Sequence, residues 1–267
     1  MQNLDGVRLA SSPVNEQICV AHADGSVGCT NDYREPVKSQ LGIAGARELS
    51  VAMGDGSTLR ADGTIQRWQG PEDRCTPSTE PLQLPSPATQ LKCTGDLGCA
   101  VTADGRLFCF DGGGSPNCQT AQAVAGIDDA LEVAITMEQL CVLHRGGTVS
   151  CAPLDATSSQ IGNFDPPLLS GAIQLQSSRI ATCALEQSGQ LKCWGLSECG
   201  SLGIAENCGF TLVSAPLTVQ SSIETRRFGM SDGLTCSEDA SGDVWRWGFS
   251  GWNGQAEGNP TARRIAF

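Results

Sequence analysis

Histidine is almost absent from this chain of 267 residues, which contains only His22 and His144. No two cysteines are separated by two residues, so the close cysteine pair typical of many zinc sites is also missing. A catalytic triad would have to use one of the two histidines, and each lies in a stretch predicted as a β-strand. We therefore predict no metal site, no cofactor and no enzymatic activity.

Basic residues and long apolar runs are also scarce. The 17 lysines and arginines are outnumbered by 29 aspartates and glutamates, which gives a net charge of −12. Because nucleic-acid binding depends on neutralising phosphates, this balance excludes a nucleic-acid partner. No apolar run is long enough for a transmembrane segment, and no signal peptide is visible at the start of the chain. We expect that an export signal was removed and that Met1 was added.

Cysteine, by contrast, is abundant and regularly spaced. The chain has 14 cysteines, and eight of them form four pairs whose members are ten positions apart. In each pair a glycine lies six residues after the first cysteine: Cys19 and Cys29, Cys99 and Cys109, Cys141 and Cys151, Cys183 and Cys193. Two further segments keep this frame with Ser57 and Arg67, and with Cys236 and Arg246. The six segments begin at steps of 38, 42, 42, 42 and 53 residues, which is typical of a repeat array.

The spacing within each segment predicts a β-hairpin. Apolar and polar residues alternate on both sides of the glycine, and pairing the first position with the eleventh leaves a three-residue loop that ends in glycine. The two cysteines then lie directly opposite each other, close enough to form a disulfide bond. We predict all four bridges, and with them an oxidising location that is extracellular, periplasmic or at the cell surface.

Six cysteines lie outside these pairs. The 53-residue step contains an insertion with Cys199 and Cys208, for which we predict a local bridge. Cys75 and Cys118 follow neighbouring hairpins and are predicted to pair, with Cys75 and Cys93 as the alternative. Cys236 faces an arginine and is predicted to be a free, buried thiol.

The rest of each repeat predicts an all-β fold. An alternating apolar stretch precedes each hairpin, and a loop rich in glycine, proline and serine leads to another short strand. We predict one domain over residues 1–267, a β-propeller of six blades with about four antiparallel strands each. Its ring closes when "TARRIAF" at the C-terminus pairs with "DGVRLASS" at the N-terminus. The hairpins are predicted near residues 18–30, 56–68, 98–110, 140–152, 182–194 and 235–247.

The segments "CALEQSGQLKCWG", "CGSLG" and "APLTVQ" resemble the repeat of the regulator-of-chromosome-condensation type, as found in bacterial extracellular proteins. "VWRWGFSGWNGQAEGNP" keeps further parts of that repeat. The resemblance implies a propeller, usually of seven blades, and a seventh blade here would need ~40 more residues. It also implies a protein partner, because the family includes a nucleotide-exchange factor and a propeller-type β-lactamase inhibitor that present loops from one rim.

Aromatic residues fall into two groups. Those directly after the second cysteine position recur in the repeat and are predicted to lie in the core between blades: Trp68, Phe110, Trp194 and Trp247. Those in the variable loops are predicted to contact the partner, because aromatic anchors concentrate binding energy: Tyr33, Phe164, Phe210, Phe249 and, as first choice, Trp252.

The predicted function is that of a non-catalytic bacterial scaffold, secreted or associated with the envelope. It is expected to be monomeric and to present rim loops to a protein partner, with enzyme inhibition as one such role. The alternative is a carbohydrate-binding module or a glycan-acting enzyme, whose rim aromatics would stack on sugars. Binding to a glycan array, or turnover of a polysaccharide, distinguishes the alternative from the scaffold.

Overall fold

The computed structural model describes residues 7–11, 18–22, 24–30, 39–40, 43–52, 55–69, 76–77, 80–94, 97–111, 121–155, 160–198, 200–203, 210–219, 223–231, 233–249 and 258–265. Every regular element in these ranges is a β-strand. None of the described segments forms a helix that could cross a membrane. The chain divides into two compact units, Met1–Leu131 and Glu132–Phe267.

The first unit contains three antiparallel sheets whose strands follow chain order. Sheet 1 consists of β1 (Val7–Ser11), β2 (Ile18–His22), β3 (Val27–Thr30) and β4 (Ser39–Gln40). Sheet 2 consists of β5 (Ala46–Ala52), β6 (Asp55–Arg60), β7 (Ile65–Gln69) and β8 (Thr76–Pro77). Sheet 3 consists of β9 (Ala88–Thr94), β10 (Leu97–Thr102), β11 (Leu107–Asp111) and β12 (Gln122–Ala123).

The second unit contains three further sheets whose strands also follow chain order. The first strand of sheet 4 begins at Ala130, two residues before Glu132, where this unit begins. Sheet 4 consists of β13 (Ala130–Ile135), β14 (Gln139–His144) and β15 (Val149–Pro153). Sheet 5 consists of β16 (Ala172–Ser177), β17 (Ala181–Glu186), β18 (Leu191–Glu198) and β19 (Phe210–Thr218). Sheet 6 consists of β20 (Thr225–Ser231), β21 (Leu234–Asp239), β22 (Val244–Phe249) and β23 (Gly258–Arg264).

The six hairpins have the register that the cysteine spacing predicts. In sheet 3, Cys99 lies opposite Cys109, and the loop is closed by the N–H of Thr102, which donates to the carbonyl oxygen of Arg106 at 2.9 Å. Gly105 ends this loop with a φ of 85°, in the left-handed region that glycine adopts without strain. The same pairing of first and eleventh positions occurs in the other five hairpins.

Three of the predicted disulfide bonds are complete in the structure. They join Cys99 to Cys109, Cys141 to Cys151 and Cys183 to Cys193, with Cα atoms 4.0, 4.0 and 4.1 Å apart. Cys19 is also disulfide-bonded, and Cys29 lies opposite it in the strand register.

The remaining cysteines give mixed outcomes. Cys75, Cys118, Cys199 and Cys208 lie outside the described residues. Cys93 is a free thiol, so the alternative pairing of Cys75 with Cys93 is wrong. Cys236 is free as predicted, but its side chain is only partly buried. The opposing Arg246 is itself partly exposed, so this end of the hairpin is open to solvent.

The predicted number of four-stranded blades is wrong. Five sheets have four strands in the described chain, whereas sheet 4 has three. Its outer strand is reduced to isolated bridges, one of which joins Val149 to Leu169. Pro166 and Pro167 are separated from Leu169 only by Leu168, and because proline has no N–H to donate, the chain there cannot form a continuous ladder.

The predicted pairing of the chain ends is not confirmed by the described residues. Thr261–Arg264 belongs to β23, which pairs with β22, and Val7–Ser11 forms β1, which pairs with β2. Each of these end segments therefore finds its described partner within its own repeat.

The predicted core aromatics are buried. Trp68, Phe110, Trp194 and Trp247 are between 1 and 3 % exposed. In sheets 2 and 3 the ring lies on the glycine opposite it in the hairpin: a Cβ at Gly56 would lie 1.9 Å from the Trp68 ring. The absence of a side chain at that position therefore makes room for the ring.

A recurring hydrogen bond connects each hairpin turn to the next sheet within a unit. The carbonyl oxygen of the turn glycine accepts from the first N–H of the following inner strand. The first unit has Ala46 donating to Gly25 at 3.1 Å and Ala88 donating to Gly63 at 2.9 Å. In the second unit, Ala172 donates to Gly147 at 2.9 Å and Thr225 donates to Gly189 at 3.0 Å.

Gly63→Ala tests the cost of this close approach. Gly63 has a φ of 82°, and a Cβ there would lie 2.4 Å from Pro87 Cβ. Gly126 has a φ of 79° but open space around it, so Gly126→Ala is a control for backbone strain alone. We expect Gly126→Ala to lower the free energy of unfolding by about 1–2 kcal/mol and Gly63→Ala by a further ~1–3 kcal/mol, measured by urea denaturation. Equal losses would show that the sheets do not constrain the turn.

Arg246→Cys should create a further hairpin disulfide. Cys236 and Arg246 occupy the same opposed positions as the bonded pairs. A bridge over so short a loop should raise the free energy of unfolding by up to ~3 kcal/mol. Thermal unfolding under oxidising conditions measures the gain, and Arg246→Ser is the control without a thiol. Two titratable thiols at these positions after oxidation would contradict the shared register.

Candidate protein-binding surface

The structure describes the side chains of two of the five predicted contact residues. Phe210 begins β19 and is 67 % exposed. Phe164 lies between β15 and β16 and is partly buried. Phe249 ends β22 opposite Gly258, and only its backbone is described. Tyr33 and Trp252 lie outside the described residues.

Phe210 belongs to the longest described strand. β19 has nine residues, is the outermost strand of sheet 5 and pairs only with β18 in the described chain. Val213 points into the core and is 6 % exposed, whereas Leu212 is 68 % exposed and Leu217 is 48 % exposed. Large apolar side chains so open to solvent are typical of interaction sites when they occur together.

The strand register places these side chains together. Leu212 lies opposite Leu196 of β18, and Phe210 lies opposite Glu198. Directly opposed residues share a face of the sheet, with Cβ atoms about 4.5–5.5 Å apart. Leu196, Phe210 and Leu212 therefore form an apolar area bordered by the carboxylate of Glu198. These four residues are called the β19 surface below.

Sequence reasoning found Phe210 but missed Leu196 and Leu212. The insertion that lengthens the repeat step to 53 residues lies between β18 and β19. It allows β18 to reach eight residues, whereas β11 and β15 have five. The available signal was "FTLVSAPLT", nine uncharged residues after the insertion, because an outer strand usually carries charges.

Glu198 is the charged member of the β19 surface. Its side chain makes no ion pair with any residue that the structure describes. Its backbone N–H donates to Ser201 Oγ at 3.1 Å, which fixes the end of β18. The carboxylate therefore remains available to a positively charged group.

Both histidines belong to strands, as predicted. His22 ends β2 and His144 ends β14. His144 Nε2 is 2.7 Å from Ser150 Oγ, but Ser150 is only 5 % exposed. A serine nucleophile must be reached by its substrate, so this pair is poorly placed for hydrolysis.

Several aspartates in the hairpin turns have lowered pKa values. The Ser26 hydroxyl and N–H both donate to Asp24 Oδ1, at 2.7 and 2.9 Å, and hold the pKa of Asp24 below its usual value. The indole N–H of Trp245 donates to Asp239 and lowers its pKa in the same way. These carboxylates stabilise the turns in which they lie.

The carboxyl group of Glu48 has a raised pKa. Partial burial of Glu48 raises its pKa above the ordinary value of 4.5, although the Leu91 N–H donates to its Oε2 at 2.9 Å. The same contact between adjacent sheets recurs at Glu132, which accepts from the Leu175 N–H at 2.5 Å. Gln174 accepts from Phe228 at 3.4 Å. The carboxyl group of Glu48, whose pKa is raised, therefore takes part in a contact that joins sheets 2 and 3.

The fold matches solved β-propeller structures. Prp20p from Saccharomyces cerevisiae gives a TM-score of 0.64 at 15 % identity, over 82 % of this chain and 64 % of the matched chain. Yeast RCC1 (Prp20) in its structure with Kap60 gives a TM-score of 0.63 at 14 % identity, over 84 % and 63 %. Human WBSCR16 gives a TM-score of 0.74 at 12 % identity, over 99 % and 83 %.

This chain has an RCC1-like β-propeller fold. At such low identity the likeness concerns the fold alone, and the chain spans less than two thirds of either yeast structure's matched chain. No protein-family model and no curated protein matches the sequence.

Glu48→Gln tests the electrostatic contact between sheets 2 and 3. Since burial raises the folded-state pKa of Glu48, its protonated form favours folding below about pH 4.5, and this stabilisation is lost as the pH rises through the folded pKa. Glutamine keeps an acceptor for the Leu91 N–H without a charge. The melting temperature of Glu48→Gln should therefore equal that of the wild type at low pH and exceed it increasingly as the pH rises.

Glu48→Ala is the matched control for this experiment. It removes the acceptor and leaves the Leu91 N–H without a partner, so it should lower the free energy of unfolding by about 1–3 kcal/mol at both ends of the pH range. A difference between Glu48→Gln and the wild type that does not change with pH would show that the carboxyl group is uncharged throughout or fully solvated.

Proposed function

We propose that this protein is a non-catalytic binding scaffold that uses the β19 surface and adjoining loops to hold a protein partner. The observation that carries the proposal is the exposure of Phe210 and Leu212, at 67 and 68 %, on the outer strand of sheet 5. A binding hot spot typically consists of aromatic and aliphatic side chains surrounded by a polar rim, and the β19 surface has this composition.

The fold and the charge support this proposal. The Prp20p structure is described with that protein's binding to Gsp1p and histones, and the RCC1 structure shows that protein with Kap60, so related folds bind proteins. The net charge of −12 favours a partner with a basic surface.

The location and biological setting are part of the same proposal. The protein is exported, because the three complete disulfide bonds are stable in an oxidising compartment. It belongs to the bacterial extracellular branch of the repeat family, as the hairpin motifs suggest, and acts as a monomer. Inhibition of an enzyme, as by the propeller-type β-lactamase inhibitor that the hairpin motifs resemble, is one role proposed for such a scaffold.

The partner can be identified by photo-cross-linking. A photoreactive phenylalanine analogue at position 210 should capture a protein from the secreted or envelope fraction of the source organism. The same analogue at Ile173, which is 54 % exposed on β16 of the same sheet, is the control for non-specific capture. Equal capture at both positions, or turnover of a polysaccharide by the purified protein, would contradict the proposal.

Phe210→Ala should separate binding from stability. We expect it to weaken binding of the captured protein by ~2 kcal/mol or more and to change the free energy of unfolding by less than about 0.5 kcal/mol. Trp194→Ala should do the reverse at a buried position and lower the free energy of unfolding by ~3–5 kcal/mol. We also expect Trp252→Ala to weaken binding and to leave the free energy of unfolding nearly unchanged, as for Phe210→Ala. Calorimetric melting and binding titrations measure both quantities.

A further inference from the structure

We propose that β19 binds its partner by strand addition and that the partner contributes an extended segment that carries apolar side chains and a basic side chain on the same face. The inference rests on the proposed binding function and specifies its mode. In strand addition, the backbone of the added segment pairs with an open sheet edge and its alternating side chains provide specificity.

The outer edge of β19 is open for such pairing. β18 occupies one side of the strand, and no described strand lies on the other. In an antiparallel pair, alternate residues direct their N–H and C=O groups away from the neighbouring strand. Phe210–Val213 pairs regularly with β18 before the register shifts, and it therefore presents unpaired backbone donors and acceptors along its outer edge.

The other outer strands of this chain are protected from pairing. In the described parts of the chain, β4, β8 and β12 have two residues each, which is too short to serve as a template. β23 has seven residues but contains Pro260 and the charged pair Arg263 and Arg264. Short length, proline and charge are the usual means of blocking edge pairing. β19 also contains a proline, Pro216, and a register shift after Val213, but Phe210–Val213 precedes both and carries no charge.

The negative charge of Glu198 and of the whole chain favours a basic segment as the partner of β19. Glu198 borders the apolar area and has no ion-pair partner in the described chain. With 29 acidic and 17 basic residues, the chain as a whole attracts positive segments. A second copy would bring the same charge of −12, so self-association is disfavoured relative to a basic partner. Apolar side chains of the segment would contact Phe210 and Leu212, and a lysine or arginine would pair with Glu198.

Synthetic peptides provide the first test. The probe is a fluorescent nine-residue peptide with threonine at every second position and with three valines and one lysine at the positions between, so that valine and lysine share a face. Its first control has glutamate in place of the lysine. The second control is a pair of peptides with backbone N-methyl groups at the odd or at the even residues. Between them, the two peptides remove the N–H donors of each edge in turn. We expect the lysine peptide to bind at least about tenfold more tightly than the glutamate control and than one member of the N-methylated pair, and its affinity to fall at high salt.

Variants locate the binding edge. Phe210→Ser and Leu212→Ser should each weaken binding of the lysine peptide at least about tenfold. Glu198→Gln should weaken it several-fold and reduce the salt dependence. Ile173→Ser is the matched control, because Ile173 is similarly exposed on the opposite edge of the same sheet, and it should bind normally.

Each remaining outcome overturns the proposal. Equal affinity for both N-methylated peptides would mean that the backbone edge does not pair, and undiminished binding by Phe210→Ser and Leu212→Ser would place the site elsewhere. Dimerisation that these variants abolish, measured by analytical ultracentrifugation, would make a second copy the occupant. If the photo-captured partner still binds both variants, strand addition is wrong while the scaffold function stands. If no protein is captured at any position, the proposed function itself fails.

Discussion

The hydrogen bond between a hairpin turn and the next sheet underlies the arrangement of this protein. The first N–H of the following inner strand donates this bond, and the carbonyl oxygen of the turn glycine accepts it. Gly25 and Gly63 must adopt a positive φ, and neither leaves room for a Cβ against the next sheet. One residue type therefore satisfies the turn and the packing of successive sheets at once, which explains why the repeat tolerates loss of cysteine but keeps this glycine.

A second set of contacts joins the inner strands. Glu48 and Glu132 each accept a backbone N–H from the following sheet, and Gln174 does so with a neutral amide. These residues satisfy backbone groups that face between sheets and would be costly if left unpaired. Since amide and carboxylate perform the same task, the position selects an acceptor and not a charge. The repeat is thus held by polar contacts at the inner strands and by aromatic packing beside the hairpins.

Sequence predicted the local structure well because cysteine spacing reports strand register directly. It placed Trp68 and Trp194 correctly in the core, since a recurring aromatic beside a hairpin has one consistent environment. It failed in sheet 4, where Pro166 and Pro167 interrupt the outer strand and the apolar pattern alone does not reveal the loss of donors. It missed Leu212 for a similar reason: alternation predicts a strand, but burial depends on whether another element covers that strand.

Each complete disulfide bond closes a loop within one sheet and joins the two strands of a single hairpin. A protease that cut the turn between Thr102 and Arg106 would therefore leave its two products covalently linked through Cys99 and Cys109. Antiparallel pairing and the buried side chains would still hold the cut ends in place. In an environment rich in proteases, cleavage within such a turn should thus have little effect on the fold.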